Sequence, residues 1–234
     1  AAGFTANTIN SLTAEQLKTI LLYHAIPASL LKAEIPETPN AKLITAAGDS
    51  VFITRTGTGV FVNGIEVNDF DLIATNGIIH RLSGVLAPPT GNLMQTATAN
   101  PDFSFFLAAV VRASSSSTPV AQLLASDNIF TVFAPTNEAF KAAGWVSLEA
   151  ITAVDPSQLL EIVLNHIVPG RHFSAQLTPG KMLASLSGKS LLVGSGGGKT
   201  TIKGAGSTAG SFMTATNIVA RNGVVHVVEK LLLP

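Results

Sequence analysis

Hydrophobic residues follow a helical period in two widely separated segments of the chain. These apolar positions are Leu17, Ile20 and Leu21 in the first segment, and Leu159, Ile162 and Val163 in the second. The spacing predicts two amphipathic helices, each burying one apolar stripe. Capping sequences precede both helices, Thr13-x-x-Gln16 in the first and Asp155-Pro156-x-Gln158 in the second. Pro27 and Pro169 are expected to end these helices.

Strand-like segments follow each predicted helix. β-Branched and alternating runs bounded by turn residues predict strands at Ser50–Arg55, Gly59–Val62, Ser190–Val193 and Thr200–Lys203. A hairpin is predicted between Phe212–Ala220 and Val224–Leu232, because the intervening Asn222-Gly223 tolerates positive φ at both positions. The chain is therefore predicted to contain antiparallel sheets beside its helices.

The middle of the chain adds two helix starts and one buried strand. Asn100 before Pro101 and Thr118 before Pro119 are typical helix caps. The apolar run Ile129–Phe133 predicts a buried strand that leads through a turn into a short helix. Six phenylalanines recur at the period of their elements and are expected in the core: Phe103, Phe105, Phe106, Phe130, Phe133 and Phe140. The predicted fold class is α+β, with helices flanking a mainly antiparallel sheet system.

The sequence contains one internal repeat. Leu21–Pro27 returns as Val163–Pro169 after 142 residues, and Asn76–His80 returns as Asn222–His226 after 146 residues. A further echo relates the first four residues, 1–4, to residues 142–145. The chain is thus predicted to be a tandem repeat.

The first copy of the repeat is shorter than the second, because Asn92–Lys141 has no counterpart ahead of Ala1. We therefore expect a partial domain at residues 1–89 and a complete domain at residues 90–234, joined by the stiff linker 87–91. The first-copy strand at Ile78–Leu86 would then have an unpaired edge and an uncovered apolar face. A longer native chain, a cleaved segment that stays bound, or a strand donated by another copy could complete it; we favour the longer chain, with donation as the alternative.

Composition and charge exclude several classes of protein. The 234 residues are 47% hydrophobic and 12% charged, which excludes intrinsic disorder. Fourteen Lys and Arg balance fourteen Asp and Glu, so neither nucleic acid nor an anionic membrane surface is an expected partner. Cysteine is absent, which excludes disulfides, thiol catalysis and thiolate metal sites. No apolar run approaches the roughly 18 residues that a transmembrane helix requires.

Four of the five histidines occupy repeat-equivalent positions: His24, His80, His166 and His226. We expect each to hydrogen-bond within a partly buried polar position, because no carboxylate cluster accompanies them. His226-x-x-Glu229 supplies only two of the three ligands that a metal needs. Gly194–Thr200 has the wrong glycine count for a phosphate loop, and Asn68–Asp71 lacks calcium-ligand spacing. No catalytic residue, cofactor or metal site is predicted.

Three ordered motifs carry a resemblance to a known family. Phe130–Phe140 resembles the first signature block of the fasciclin-like (FAS1) domain, and Asn222–Leu232 resembles the second. Tyr23-His24 and Asn165-His166 are similar to the intervening tyrosine-histidine motif, with Asn165 where the family often has tyrosine. The first copy matches the last two motifs and lacks the first block. The motif positions are Tyr23, His24, Asn76, His80, Thr131, Pro135, Thr136, Asn137, Asn165, His166, Asn222 and His226, and their expected role is structural.

The resemblance implies a wedge of two mainly antiparallel β-sheets with flanking helices, in an adhesion protein that is not an enzyme. We expect a secreted, cell-surface or periplasmic module of bacterial origin that binds protein or glycan partners in the matrix or at the cell surface. The same hypothesis allows self-association through the incomplete first domain. The alternative is a cell-envelope protein that binds a small molecule or polysaccharide, which requires a concave apolar pocket with converging polar groups. An enzyme ranks third.

Overall fold

The computed structural model describes residues 9–234, so the repeat echo at residues 1–4 lies outside the described part of the chain. The chain divides into two compact units. Unit 1 comprises the residues up to Pro89, with Phe173–Gln176 and Asn217–Val219; unit 2 comprises Thr90–His172, Leu177–Thr216 and Ala220–Pro234. Within residues 9–234, no helix combines the length and apolar character needed to cross a membrane.

Unit 1 contains helix α1 and a five-stranded sheet. Its elements are helix α1 (Ala14–Tyr23), a 3₁₀ turn (Lys32–Glu34), and strands β1 (Ala41–Ile44), β2 (Ser50–Thr56), β3 (Gly59–Val62), β4 (Ile65–Ala74) and β5 (Gly77–Leu82). The strands follow sequence order across the sheet and pair antiparallel. Thr13 and Gln16 form the predicted capping box at the start of α1. Asn63 and Gly64 join β3 to β4 with φ of 50° and 77°, a two-residue turn whose twist matches that of the strands.

Unit 2 carries most of the helices. These are α2 (Leu93–Thr98), α3 (Ser104–Ala113), α4 (Val120–Ala125), α5 (Asn137–Ala142), α6 (Leu148–Thr152) and α7 (Pro156–Asn165), with a 3₁₀ turn at Pro101–Phe103. A further 3₁₀ turn, at Ser174–Gln176, belongs to unit 1. The remaining strands are β6 (Phe130–Pro135), β7 (Ile167–Pro169), β8 (Met182–Ala184), β9 (Ser190–Gly196), β10 (Lys199–Lys203), β11 (Ser211–Ala220) and β12 (Gly223–Val228). They form a seven-stranded sheet in the order β7-β6-β12-β11-β10-β9-β8.

Strands β6 and β12 are neighbours in the sheet of unit 2. They run parallel, with Phe130 opposite Gly223 and Pro135 opposite Val228, whereas β7 joins β6 antiparallel. Every residue of both strands is buried. The predicted buried strand therefore lies inside the sheet, beside Val224–Val228 as expected. All six phenylalanines assigned to the core are buried, and the α+β prediction with mainly antiparallel pairing is confirmed.

The helix ends and one helix cap differ from the predictions. The two repeated helices end at Tyr23 and Asn165, before Pro27 and Pro169, because a histidine caps each carboxyl end. Thr118 does not cap α4; the Ser114 hydroxyl instead accepts a hydrogen bond from the amide of the second residue of that helix.

The hairpin between β11 and β12 forms, but for a different reason from the one predicted. Neither Asn222 nor Gly223 has a positive φ. Glycine is needed at position 223 because a Cβ there would overlap the Phe130 carbonyl oxygen and press on the Leu93 side chain. The close approach of β6 to β12, and not turn conformation, therefore explains this glycine.

The prediction that helix α1 buries its apolar stripe is wrong. Leu17 and Leu21 are 38% and 62% exposed, whereas the equivalent Leu159 and Val163 of α7 are almost fully buried. Helix α7 packs against α3, and among residues 9–234 unit 1 has no equivalent of α3. The amphipathic pattern thus identified the apolar face correctly but not whether another element covers it.

Candidate functional site

Two histidines cap the repeated helices with the same set of hydrogen bonds. His24 Nδ1 lies 2.7 Å from the Ile20 carbonyl oxygen, and its Nε2 accepts from the Leu86 amide at 3.0 Å. His166 Nδ1 lies 2.8 Å from the Ile162 oxygen, and its Nε2 accepts from the Leu232 amide at 3.0 Å. Each ring therefore connects the end of a helix to the chain that leaves the last strand of its repeat.

Two further histidines lie on the last strand of each repeat. His80 Nε2 on β5 lies 2.8 Å from the Leu30 carbonyl oxygen, and His226 Nε2 on β12 lies 2.8 Å from the His172 carbonyl oxygen. Leu30 and His172 are themselves repeat equivalents. The His226 ring also stacks on Phe133 with centroids 5.5 Å apart. The four histidines thus form two matching pairs, each pair joining a strand and a helix end to neighbouring main chain.

Burial strongly affects the two histidines of unit 2. Complete burial lowers the pKa of His166 and of His226 from 6.5 to about 4, against the smaller opposing effect of their main-chain hydrogen bonds. Nδ1 of His226 is buried and, among the described residues, has no hydrogen-bond partner. Both rings are therefore neutral at physiological pH, which is unfavourable for a cationic binding site.

The residues immediately before the helix-end histidines, Tyr23 and Asn165, differ in type, but both hydrogen-bond to main chain. The Tyr23 hydroxyl donates to the Ser50 carbonyl oxygen at 2.9 Å and accepts from Asn63 Nδ2 at 3.0 Å. Asn165 Nδ2 donates to the Leu232 carbonyl oxygen at 2.9 Å, while its Oδ1 accepts from the hydroxyls of residues 185 and 187. Tyr23 and Asn165 are both fully buried, so neither presents a free hydroxyl or amide to a ligand.

Asn222 anchors the β11–β12 turn, but its repeat equivalent does not. The Asn222 side chain accepts from the Leu93 amide at 2.7 Å and donates to the carbonyl oxygens of Leu124 and Ser126. Its three partners belong to residues 93–126, a stretch that the first repeat lacks within 9–234. Asn76 is exposed, and no hydrogen-bond partner for its side chain occurs among the described residues.

The first signature block joins β6 to the helices of unit 2. Thr131 Oγ1 donates to the Gly170 carbonyl oxygen at 2.8 Å and accepts from the His172 amide at 2.9 Å. Buried Pro135 ends β6, and Thr136 caps α5 through the amide of residue 139. Asn137 Oδ1 accepts from the Phe105 amide, while its Nδ2 donates to the carbonyl oxygen of residue 101. These polar side chains are thus committed to main-chain contacts.

Arg171 is a buried polar residue that the sequence reasoning missed. Its guanidinium donates to the carbonyl oxygens of Ala220 and Arg221 at 3.1 and 3.0 Å, and also to that of Gly223. The repeat provided no signal for this position, because its first-copy equivalent is Ser29. Arg171 fixes the turn before β12 and adds no group available for chemistry.

Nothing in the described geometry resembles a metal centre. Among residues 9–234, no three His, Asp or Glu side chains are grouped so that they could hold a metal ion. Asp71, considered for calcium, has φ of 56° and accepts the Lys32 amide at 2.8 Å. Gly197 and Gly198 form the turn between β9 and β10 with positive φ, so this glycine-rich run is a hairpin and not a phosphate loop.

One concave feature of unit 1 stands out. An apolar cavity of about 510 Å³ is lined by the end of α1, the segment that follows it and the sheet of unit 1, and the lining includes two of the repeated histidines and several aliphatic side chains. Residues that line it include His24, Leu30, Ile53, Phe70, Ile79 and His80. Both histidines point their ring nitrogens at the main-chain partners described above, which leaves the cavity predominantly hydrophobic.

Comparisons with known proteins agree with this architecture. The family model of the fasciclin domain matches residues 2–88 and 101–234. The chain is 29% identical over its whole length to transforming growth factor-beta-induced protein ig-h3 of Sus scrofa, and it covers 33% of that protein. It is 28% identical over 191 residues to protein sll1483 of Synechocystis sp., a match covering 81% of this chain and 98% of that protein. The chain therefore spans about a third of the length of the ig-h3 relative.

The fold itself resembles a solved structure. A FAS1 domain pair from the insect cell adhesion molecule fasciclin I superposes with a TM-score of 0.55 at 18% identity, covering 98% of this chain and 84% of that chain. Both halves of the sequence match the family model, and the strand and helix arrangement agrees with that domain pair. The chain therefore belongs to the fasciclin domain family.

Proposed function

We propose that this protein is an extracellular, cell-surface or periplasmic adhesion or matrix module that binds protein or glycan partners without catalysis. The observation that carries the proposal is the fasciclin match over both halves of the chain. The similar solved domain pair comes from a cell adhesion molecule, which supports the same role here. The similarity to a Synechocystis protein supports a bacterial origin.

Proteins of the fasciclin domain family are non-catalytic adhesion proteins, in agreement with the prediction that this chain is not an enzyme. The disposition of the motif residues supports the same view. The four repeated histidines hydrogen-bond to main chain, and two of them are buried and neutral. We accordingly propose that the motif positions maintain the fold and that recognition occurs on other surfaces.

We also propose the domain assignment on which this function rests. Residues 1–89 constitute a partial fasciclin domain without the first signature block, and residues 90–234 constitute a complete one. The domain assignment is supported by the spacing of the histidine pairs, whose hydrogen bonds recur in the two repeats. Self-association through the incomplete domain is part of this proposal.

The alternative function is binding of a small molecule or polysaccharide in the cell envelope. The apolar cavity of unit 1 is the observation that favours it, because such a site requires a concave apolar pocket. A polysaccharide, however, needs many free hydrogen-bonding groups, and both histidines of the lining already hydrogen-bond to main chain. The adhesion proposal is therefore preferred.

Adhesion can be tested with microspheres coated with the protein and presented to a glycan array and to cells of candidate source organisms. We expect saturable attachment that soluble protein competes away, with heat-denatured protein as the control coating. The absence of attachment to any glycan or cell surface would contradict the proposal. Hydrolysis of a substrate that disappears in His166→Ala while the fold survives would replace it with an enzymatic function.

A further inference from the structure

Charge is divided unevenly along unit 2, although the whole chain has no net charge. Residues 90–170 carry six acidic and two basic side chains, whereas residues 177–234 carry six basic side chains and one acidic one. The charged residues of the second range are Lys181, Lys189, Lys199, Lys203, Arg221 and Lys230, with Glu229 as the acid. A local excess of one sign attracts partners of the opposite sign even when the net charge is zero.

Strands β8, β9, β10 and β11 are neighbours in the sheet and turn one face away from the core. Ile202 of β10 is fully buried in the core of this sheet. Because side chains alternate along a strand, Thr201 and Lys203 on either side of it lie on the outer face. The register places Thr201 between Gly194 of β9 and Phe212 of β11. The outer face therefore combines small residues, an aromatic ring and a cation.

The lysines of this region are not neutralised by carboxylates. Lys199 and Lys203 share the outer face of β10, where their Cα atoms are about 13 Å apart along the strand. Lys189, Lys199 and Lys230 are exposed. Within residues 9–234, neither these three lysines nor Lys203 forms an ion pair with a carboxylate. Their ammonium groups are thus available to an anionic partner.

A shallow depression of about 260 Å³ opens on the same face. Its lining includes Lys199, Phe212, Thr214 and Glu229. The Phe212 ring lies close to the sheet, since a Cβ on Gly196 would be 3.3 Å from that ring. The volume is below the roughly 300–1,000 Å³ of sites for drug-sized ligands, so it suits a single ring of a longer ligand. A cation, an aromatic ring, a hydroxyl and a carboxylate therefore meet in one small depression.

These groups require different features of one partner. The lysines require anionic groups, whereas Glu229 requires hydrogen-bond donors, because an ionised carboxylate only accepts. An acidic polysaccharide supplies carboxylates for the lysines, hydroxyl donors for Glu229 and an apolar ring face for Phe212. A phosphate backbone would place dense negative charge beside Glu229. The lining of the depression also contains no arginine, the side chain best suited to bidentate recognition of phosphate.

We propose that the outer face of strands β8 to β11 binds an acidic polysaccharide rich in uronic acid. One sugar ring occupies the depression beside Phe212, and carboxylates of the polysaccharide pair with Lys199 and Lys203. Widely spaced lysines suit a polymer of moderate charge density, such as a polyuronate. This inference rests on the proposed function, because it names the class of glycan and the face that binds it.

A binding experiment with a defined polyuronate tests the proposal. Biotinylated alginate is immobilised on a biolayer interferometry sensor and titrated with the 234-residue protein, with neutral dextran as the control polymer. We expect saturable binding to alginate and none to dextran. Binding should weaken as the salt concentration rises from about 20 to about 200 mM, because salt screens the lysines and competes for the carboxylates.

Matched variants of the protein locate the contact. The double substitution Lys199→Glu/Lys203→Glu should weaken alginate binding at least about tenfold. The control is Lys18→Glu/Lys42→Glu, which makes the same change in net charge at two exposed lysines of unit 1 and should alter binding less than about twofold. Phe212→Thr should weaken binding without changing its salt dependence, because it removes packing surface but no charge. Circular dichroism checks that each variant is folded.

Three results would overturn the proposal. The first is no binding to alginate, or an equal loss of binding in the two lysine pairs. The second is equally tight binding to duplex DNA or to phosphatidylserine vesicles, which would show a surface that does not select among polyanions. The third is tighter binding to heparin than to alginate, which would replace uronate with sulfate as the recognised group.

The adhesion proposal and this inference can fail separately. If alginate does not bind while microspheres coated with the protein still attach to cells, this inference is overturned and the adhesion role stands. If neither alginate binding nor attachment of the microspheres occurs, both are overturned.

Discussion

Mild acid is expected to destabilise unit 2 through its two buried histidines. His166 and His226 are completely buried, and burial lowers the pKa of each from 6.5 to about 4. The unfolded chain binds protons on these rings at a higher pH than the folded chain does. The histidine contribution to stability is therefore complete above pH 6.5 and is lost as the pH falls toward 4.

The size of the effect follows from the two pKa values. Complete protonation of one such histidine costs the folded state about 3 kcal/mol more than it costs the unfolded chain. At about pH 5, where the unfolded rings are largely protonated and the folded rings are not, the loss is about 2 kcal/mol for each histidine. Together, His166 and His226 should lower the free energy of unfolding of unit 2 by about 4 kcal/mol, a large part of a typical domain's stability.

The assay uses the single tryptophan of the chain. Trp145 lies in unit 2, half-buried beside Phe140 at a centroid distance of 5.7 Å, so its fluorescence reports the unfolding of that unit. Urea titrations at about pH 7.5 and about pH 5 give the two free energies. His166→Gln removes one titrating ring, and it should therefore show about half of the pH-dependent loss even if its stability at neutral pH is lower.

Two results would refute this reasoning. The free energy of unfolding could change by less than about 1 kcal/mol between the two pH values. Alternatively, NMR could show that the carbon resonances of the His166 and His226 rings titrate near the ordinary histidine pKa of about 6.5 in the folded protein. Either result would mean that the rings are hydrated or that unit 2 opens to admit protons without unfolding.

Two pairs of repeat-equivalent substitutions provide further predictions. Gly223→Ala should destabilise unit 2 by about 1–3 kcal/mol, because the added Cβ overlaps the Phe130 carbonyl oxygen; at Gly77 a Cβ meets nothing within 4 Å, so Gly77→Ala should cost unit 1 less than about 0.5 kcal/mol. Leu159→Ala should lower the free energy of unfolding of unit 2 by about 2–5 kcal/mol. Leu17→Ala should lower that of unit 1 by less than half as much, because Leu159 is fully buried and Leu17 is 38% exposed. Tryptophan fluorescence measures unit 2, and hydrogen exchange of α1 and β5 measures unit 1. If the two substitutions of either pair lowered the free energy of unfolding equally, these positions would not differ in burial between the repeats, which would contradict the prediction.

Much of the local structure could be predicted because it depends on neighbouring residues alone. The capping box at Thr13 and the cap at Asp155 were recognisable because a side chain there bonds an amide two or three positions away. Strand β3 occupies the predicted residues, whereas β9 extends beyond them to Gly196. The Asn63-Gly64 turn was also readable in principle, since both residues favour positive φ.

The features that the sequence concealed depend on distant parts of the chain. Gly223 is explained by the approach of Phe130, 93 positions earlier, and not by its own turn. Arg171 bonds carbonyl oxygens near residue 221, and no short motif encodes that contact. The exposure of Leu21 depends on whether another element lies over α1, which a helical period cannot express.

The hydrogen bond between each helix-end histidine and the chain after the last strand does not depend on burial of the ring. The bond from the Leu86 amide to His24 and that from the Leu232 amide to His166 both measure 3.0 Å, although His24 is exposed and His166 is buried. Equal geometry at such different exposures means that burial of the histidine ring does not determine this hydrogen bond.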